Sequence, residues 1–281
     1  NIFAGGSGSG KSLVMMNLAL NWLQQGLSGV YISLELSEEL TSLRTDAMLT
    51  NTSTKEIRKD MDTAAMKVKM MGKKFGEYRV KALPAQSNIN DIRAYLKEVQ
   101  IQTNIKVDFI MIDYLDLLMP VSTKVSPSDL FVKDKYVSEE LRNLSQELGM
   151  LMVTASQLNR GAVEEVEFDH SHISGGISKI NTADNVFGIF TSRAMRERGR
   201  YQIQCMKSRS STGVGQKIDL DYNIDTMRIT DSGGDEAAQG QPAASSIMAG
   251  LKAKSQMVQK DVTDSMPADV PKVEAEVQSS K

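Results

Sequence analysis

The residues of this chain that could do chemistry begin almost at its first position. Residues 2–14 read I-F-A-G-G-S-G-S-G-K-S-L-V, in which Gly5, Gly10, Lys11 and Ser12 fit the spacing G-x-x-x-x-G-K-[ST]. Glycines here let the backbone turn tightly, so that its N–H groups form an anion nest at a helix start. The lysine and hydroxyl of such a loop serve the phosphates and Mg²⁺ of ATP. The pattern predicts a phosphate-binding loop: Gly5, Gly6, Ser7, Gly8, Ser9, Gly10, Lys11 and Ser12.

The flanks of this loop support the prediction. Ile2-Phe3-Ala4 can end a strand before it, and apolar residues follow at helical spacing: Leu13, Val14, Leu18, Ala19 and Trp22. A Gly/Ser linker that happens to hold a lysine would need neither flank. Because the chain starts two residues before the loop, with Asn1 rather than Met, we expect a fragment that lacks its N-terminal part.

Three more polar side chains come at or just past the ends of apolar, strand-like runs: Glu35, Asp113 and Gln157. Ligands of a helix-covered parallel sheet bind at the carboxyl ends of its strands, so these residues should meet the loop in one crevice. Asp113 could hold Mg²⁺, Glu35 could deprotonate the attacking water, and Gln157 could sense the γ-phosphate. Alternatively, Asp113 and Glu35 cap the following helices, and Gln157 is a strand-end polar residue without a special role.

Composition limits the partners of the chain. Its 281 residues carry a net charge of −2, which argues against a wholly basic surface but allows a local basic lining for nucleic acid. Cys205 is the only cysteine, so no intrachain disulfide can form and a reducing cytoplasm fits. No apolar run reaches the ~18 residues of a membrane span, so no membrane partner is expected.

Strand-like and helical runs alternate over residues 1–231, which predicts an α/β domain with a mostly parallel, twisted sheet flanked by helices. Helices are expected at 54–74, 88–102 and 129–148, and a long polar loop at 158–180. The first of these helices is expected to bury one apolar stripe: Ile57, Met61, Ala64, Val68 and Met71.

The last part of the chain, residues 232–281, has a different composition. It contains no Phe, Tyr or Trp and is rich in Ala, Ser, Gln, Asp and Lys, which is typical of disorder. Ile247, Leu251 and Val258 could share one weak helical face, so a partner-binding segment is the alternative to a plain solvated tail.

Five segments, taken in order, resemble a known family. They read G-G-S-G-S-G-K-S, Y-I-S-L-E-L-S, F-I-M-I-D-Y-L-D-L-L, T-A-S-Q-L-N-R and K-S-R-S-S-T-G. This ordered set is similar to the motifs of DnaB-type hexameric replicative DNA helicases, and most similar to the T-even-phage branch. The resemblance implies a RecA-like P-loop NTPase core in a ring of six. It implies 5′→3′ movement on single-stranded DNA, unwinding at the replication fork, and partnership with a primase and a helicase loader.

The same resemblance implies roles by position. Lys11 and Ser12 would bind nucleotide and Mg²⁺, Asp113 would serve the metal, Glu35 would activate water, and Gln157 would couple nucleotide to DNA. Lys207 and Arg209, in K-S-R, would reach the γ-phosphate of the neighbouring subunit. DNA contacts would come from a polar loop: Arg160, Ser174, Gly175, Gly176 and Lys179.

Two other classes of protein share part of this pattern. A RecA-like recombinase has the same sheet and phosphate loop but forms an open filament, and a KaiC-like regulatory ATPase acts on proteins rather than DNA. ATP hydrolysis with and without single-stranded DNA would distinguish these alternatives from a helicase.

Overall fold

The computed structural model describes residues 1–122, 125, 129–158, 177–210 and 212–232. The strands are β1 Ile2–Gly5, β2 Gly29–Ser33, β3 Tyr78–Ala82, β4 Phe109–Asp113, β5 Leu151–Gln157, β6 Asn185–Ile189, β7 Arg200–Ser208, β8 Lys217–Tyr222 and β9 Ile229–Asp231. The helices are α1 Lys11–Gln24, α2 Glu38–Thr50, α3 Thr54–Lys59, α4 Met61–Gly72, α5 Ile89–Thr103, α6 Leu130–Leu148, α7 Ile177–Thr182 and α8 Arg193–Glu197, with a short 3₁₀ helix at Leu115–Leu117.

The described strands form one sheet in the order β3-β2-β4-β5-β1-β6-β7-β8-β9. Neighbours from β3 to β6 pair in parallel, and β7, β8 and β9 continue the sheet with antiparallel pairs. The predicted α/β fold with a mostly parallel sheet is therefore confirmed. Since β1, β2, β4 and β5 run the same way, their carboxyl ends lie along one edge.

Helices cover both faces of the central strands, which explains the unbroken apolar run of β4. Side chains alternate between the faces of a strand. Phe109 and Met111 pack in the core cluster beneath α1, whereas Ile110 and Ile112 pack in a second cluster with α5 and α6. All five residues of β4 are buried as a result, as a strand in a parallel sheet requires.

Local signals set most helix ends where the sequence predicts them. The Ser37 side chain accepts a hydrogen bond from the Leu40 N–H at 3.3 Å and caps α2. Asn88 and Asp91 form a capping box at the start of α5. Gly149, with φ of 59°, ends α6 in the left-handed conformation that glycine adopts easily.

The predicted helix at 54–74 is wrong as a single element. Asp60 adopts an extended φ of −143° and its carboxylate accepts the Thr63 N–H at 3.0 Å, so it ends α3 and caps α4. This break changes the direction in which the later side chains point. Ile57 and Ala64 are buried, but Met61 is 69 % exposed, and the expected methionine stripe therefore does not form one core face.

Three elements lie where no regular structure was predicted. The helix α7 occupies part of the expected loop at 158–180, α8 precedes β7, and β9 closes the far edge of the sheet. The strand β9 is fixed by the buried Asn17 of α1. Its side chain donates to the Met227 carbonyl at 3.0 Å and accepts the Ile229 N–H at 3.0 Å.

Residues Asn1–Ser232 make one compact unit. The predicted disordered tail remains a prediction, because residues 233–281 lie outside the described part of the chain. Among the described residues, no helix has the length and apolarity that crossing a membrane requires.

Replacing Asn17 with alanine tests the link between α1 and β9. The change leaves the Met227 carbonyl and the Ile229 N–H without this partner in a buried site, so we expect Asn17→Ala to lower the free energy of unfolding by about 1–3 kcal/mol. Urea denaturation measures this loss. Asn21→Ala, on the exposed side of the same helix, is the matched control and should change stability by less than about 0.5 kcal/mol. Equal losses in both variants would contradict this assignment.

Candidate active site

The phosphate-binding loop joins β1 to α1 and leaves the start of the helix open. Gly8 and Gly10 have φ of 70° and 92°, a backbone conformation that side chains disfavour. A Cβ on Gly10 would also collide with the Tyr201 hydroxyl. Within the described part of the chain, no side chain caps α1 and no acidic residue occupies its first turn. The first N–H groups of α1 and its positive dipole end therefore suit an anion such as phosphate.

Lys11 folds back over this loop. Its Nζ donates to the carbonyl oxygens of Gly5 at 3.1 Å and Gly6 at 3.0 Å. Burial lowers the pKa of Lys11, and the carboxylates of Asp113 and Glu35 are among the groups that oppose this shift. A partly buried cation held above a nest of N–H groups can bind the terminal phosphates of a nucleotide.

Asp113 ends β4 as a buried carboxylate, 1 % exposed. Its Oδ2 accepts a hydrogen bond from the Tyr31 hydroxyl at 2.8 Å. Burial raises the pKa of Asp113, and hydrogen bonds from Ser12 and Tyr31 oppose this shift. The Ser12 hydroxyl thus lies against the Asp113 carboxylate. Two neighbouring hard oxygen ligands fit Mg²⁺, which binds proteins through few side chains and keeps several waters.

The predicted site residues meet in one crevice at the carboxyl edge of the sheet. Glu35 follows β2 and is exposed, and Gln157 is the last residue of β5. The side chain that caps α2 belongs to Ser37, so the helix-cap alternative for Glu35 is not what the structure shows. The crevice is lined by Ser7, Gly8, Gly10, Lys11, Ser12, Leu13, Glu35, Leu36, Arg44, Asp113, Tyr114, Gln157 and Arg196.

Two arginines of this crevice escaped the sequence analysis. Arg44 lies on α2, nine residues after Glu35, and Arg196 lies on α8. Both add positive charge where a nucleotide would bind. The position of Arg44 on the helix that follows Glu35 was a usable signal, whereas α8 itself was not predicted.

Lys207 and Arg209 are not among the residues that line this crevice. Lys207 lies near the end of β7, and its Nζ donates to the backbone oxygens of Ile180 and, at 2.9 Å, Ala183. Arg209 follows the strand and donates to the Asn181 oxygen at 2.6 Å. The predicted common direction of the two cations is present. In this structure both bind the carboxyl end of α7, where a helix favours positive charge.

Lys179 does not lie in an exposed loop, as the sequence analysis expected. It belongs to α7, is fully buried, and forms ion pairs with Asp116 and, at 2.7 Å, Asp134. The expectation of a polar loop failed here because these two acids, distant in sequence, neutralise the lysine. The other predicted DNA contacts lie outside the described residues: Arg160, Ser174, Gly175 and Gly176.

Comparison with known proteins decides the family. The family model described as the DnaB-like helicase C-terminal domain matches residues 1–231. The chain belongs to this family. It is also 28 % identical over 215 residues to the DnaB-like replicative helicase of Enterobacteria phage T4, which agrees with the predicted T-even-phage branch. That match covers 74 % of this chain and 45 % of the relative, so the DnaB-like chain spans about half of that protein.

Two solved structures show the same fold. One is a DnaB-like replicative helicase studied with its primase interactions: TM-score 0.69, 18 % identity, 82 % of this chain and 56 % of the other covered. The other is an isolated ATPase domain: TM-score 0.69, 17 % identity, 82 % of this chain and 83 % of the other covered. These likenesses confirm the predicted fold of the DnaB-like domain.

Removing the Lys11 ammonium tests the phosphate-binding loop. We expect Lys11→Ala to reduce the affinity for ATP at least about tenfold and to abolish its hydrolysis, because the cation that faces the terminal phosphates is lost. Fluorescent-nucleotide titration and circular dichroism measure binding and folding. Lys97→Ala, an exposed lysine on α5, should behave like the parent. A folded Lys11→Ala protein with parental affinity would refute the loop assignment.

Proposed function

We propose that this domain is the motor of an ATP-dependent replicative DNA helicase, which works as a homo-hexamer on single-stranded DNA and unwinds duplex at the fork. One observation carries the proposal. In a chain of the DnaB-like family, the phosphate-binding loop and the strand-end residues Glu35, Asp113 and Gln157 line one crevice. That is the set of groups that ATP hydrolysis needs: an anion nest, a cation, a carboxylate beside a hydroxyl, and a second carboxylate exposed to water.

Each residue has a distinct part in the proposed hydrolysis. Loop N–H groups and Lys11 hold the phosphate chain, and Ser12 and Asp113 would hold Mg²⁺, which supplies charge neutralisation at the phosphates when bound. Glu35 is exposed in the crevice and can accept a proton from the attacking water. Gln157 is neutral and reports the presence of the γ-phosphate through its amide, as a donor or an acceptor.

Lys207 and Arg209 are proposed to act on a neighbouring subunit. Their position at the end of β7, outside the crevice of their own chain, supports this role. Arginine suits a group that contacts phosphate oxygens as charge develops, because its planar guanidinium donates several hydrogen bonds at once. A ring of subunits would bring each pair to the next crevice. The same proposal includes a primase and a helicase loader as partners and a cytoplasmic location, on the strength of the resemblance.

The proposal is tested by unwinding of a forked duplex with the full-length protein. We expect ATP-dependent strand separation with 5′→3′ polarity, and Glu35→Gln should keep ATP binding but slow hydrolysis by about 10²-fold or more, since it removes the base. Glu39→Gln, which removes an exposed acid on the neighbouring helix α2, should retain parental rates. ATP hydrolysis that DNA does not stimulate, with no unwinding, would instead favour a regulatory ATPase. A Glu35→Gln protein with normal turnover would exclude Glu35 as the base.

Mixing two inactive variants tests the role of Arg209. We expect Arg209→Ala subunits to bind ATP but to hydrolyse it about 10³-fold or more slowly, because the stabilising cation is lost. Combined with Lys11→Ala subunits, they should recover part of the activity, since intact loops then face intact arginines. Arg193→Ala, an exposed arginine on α8, is the control. Mixed oligomers that form without any recovery would exclude a role across the interface.

A further inference from the structure

Asp116 lies next to the crevice but does not line it. It belongs to the 3₁₀ helix that follows β4, and its Oδ2 accepts the backbone N–H of Gln157 at 2.9 Å. Its Oδ1 lies 3.4 Å from the Ser156 hydroxyl and contacts the Lys179 ammonium. One carboxylate therefore holds the end of β5 at the residue whose amide side chain faces the nucleotide.

The charge of Asp116 is balanced inside the protein. Lys179 is fully buried, and its Nζ lies 2.7 Å from Asp134 Oδ2 and 3.2 Å from the Ser156 Oγ. Lys133, also buried, pairs with Asp134 at 3.2 Å and donates to the Asp116 backbone oxygen at 2.6 Å. Among the described residues, two lysines and two aspartates thus form a neutral cluster that joins the 3₁₀ helix, α6 and α7. Removing one member leaves an uncompensated buried charge, which is strongly unfavourable.

We propose that Asp116 is a positioning residue for Gln157 and that Lys179 is its counter-ion, so that the pair couples the end of β5 to α7. This inference rests on the proposed function, because it explains how Gln157 is held for its part in hydrolysis. It replaces the direct DNA contact first expected of Lys179. Asp116 is engaged by the Gln157 N–H and Lys179, which makes it a poor substitute for Glu35 as the base.

The other end of α7 extends this connection. Lys207 and Arg209 donate to backbone oxygens at the carboxyl end of the helix. The same short helix therefore touches Asp116 through Lys179 and touches the two cations of β7 through its last carbonyls. A shift of α7 would be felt at both the Gln157 backbone and the Lys207–Arg209 pair.

The test compares Asp116→Ala with Asp116→Asn in the full-length, assembled protein. Asparagine keeps an oxygen that can accept the Gln157 N–H, whereas alanine does not. We expect Asp116→Ala to speed hydrogen exchange of the Gln157 amide about tenfold, the loss of a hydrogen bond to a charged acceptor. It should lower kcat for DNA-stimulated ATP hydrolysis about tenfold or more with KM for ATP within about twofold, because Gln157 is misplaced rather than the nucleotide site. Asp116→Asn should retain more of both properties.

The charge balance is tested by Lys179→Met, which leaves the cluster with one excess negative charge, and by the double variant Asp116→Asn/Lys179→Met, which is neutral again. The double variant should be more stable to urea than Lys179→Met alone. A direct phosphate contact by Lys179 would make Lys179→Met reduce the salt slope of single-strand binding by about 0.7. We expect an unchanged slope, because a buried lysine displaces no counter-ion from DNA. Glu147→Gln, which removes the half-exposed partner of Arg93, controls for loss of an acid elsewhere.

The outcomes separate this inference from the function on which it rests. A parent protein without DNA-stimulated hydrolysis would overturn the proposed function and the inference with it. A stimulated parent in which Asp116→Ala leaves both the Gln157 exchange rate and kcat unchanged would overturn the inference alone. A salt slope reduced by Lys179→Met would likewise overturn the counter-ion role and restore Lys179 as a DNA contact.

Discussion

A parallel sheet buried on both faces imposes the constraint on which this structure depends. Polar side chains cannot lie along strands such as β4, so they appear where the strands end, and parallel strands end along one edge. Pairing of Ser33 with Asp113 and of Gly5 with Gln157 places the ends of β2, β4, β5 and β1 side by side. The crevice of the DnaB-like domain is a consequence of this arrangement, since residues far apart in sequence need only terminate neighbouring strands to meet.

Features that depend on a few neighbouring residues could be predicted from the sequence. The phosphate-binding loop, the buried strand ending in Asp113, the Ser37 cap and the Gly149 stop are all specified by local spacing and by the conformations that those residue types prefer. The meeting of Glu35, Asp113 and Gln157 followed from the same reasoning, because the rule that ligands lie at strand ends needs only strand order and direction.

What the sequence could not predict depends on partners distant along the chain. The phase of the helix at 54–74 changed because Asp60 caps α4, an outcome that competes with helix continuation and has no strong local signal. Lys179 looked like a surface cation because its neutralising acids, Asp116 and Asp134, lie 63 and 45 residues earlier in the sequence. Burial of a charge becomes predictable only when the tertiary partners are known.

The two sets of contacts made by α7 differ in how easily they can be broken. Arg209 remains about half exposed, and its 3.2 Å ion pair with Asp184 is of the surface kind, worth roughly 0–1 kcal/mol. The cost of releasing it toward a neighbouring subunit is therefore small. The pair of Asp116 with Lys179 is buried, and separating it would leave two charges in a poorly solvated interior. A subunit contact should thus be able to recruit Arg209 while α7 keeps its attachment to Asp116. Under that condition, a small displacement of the helix would be transmitted to the Gln157 backbone instead of being absorbed by a broken ion pair.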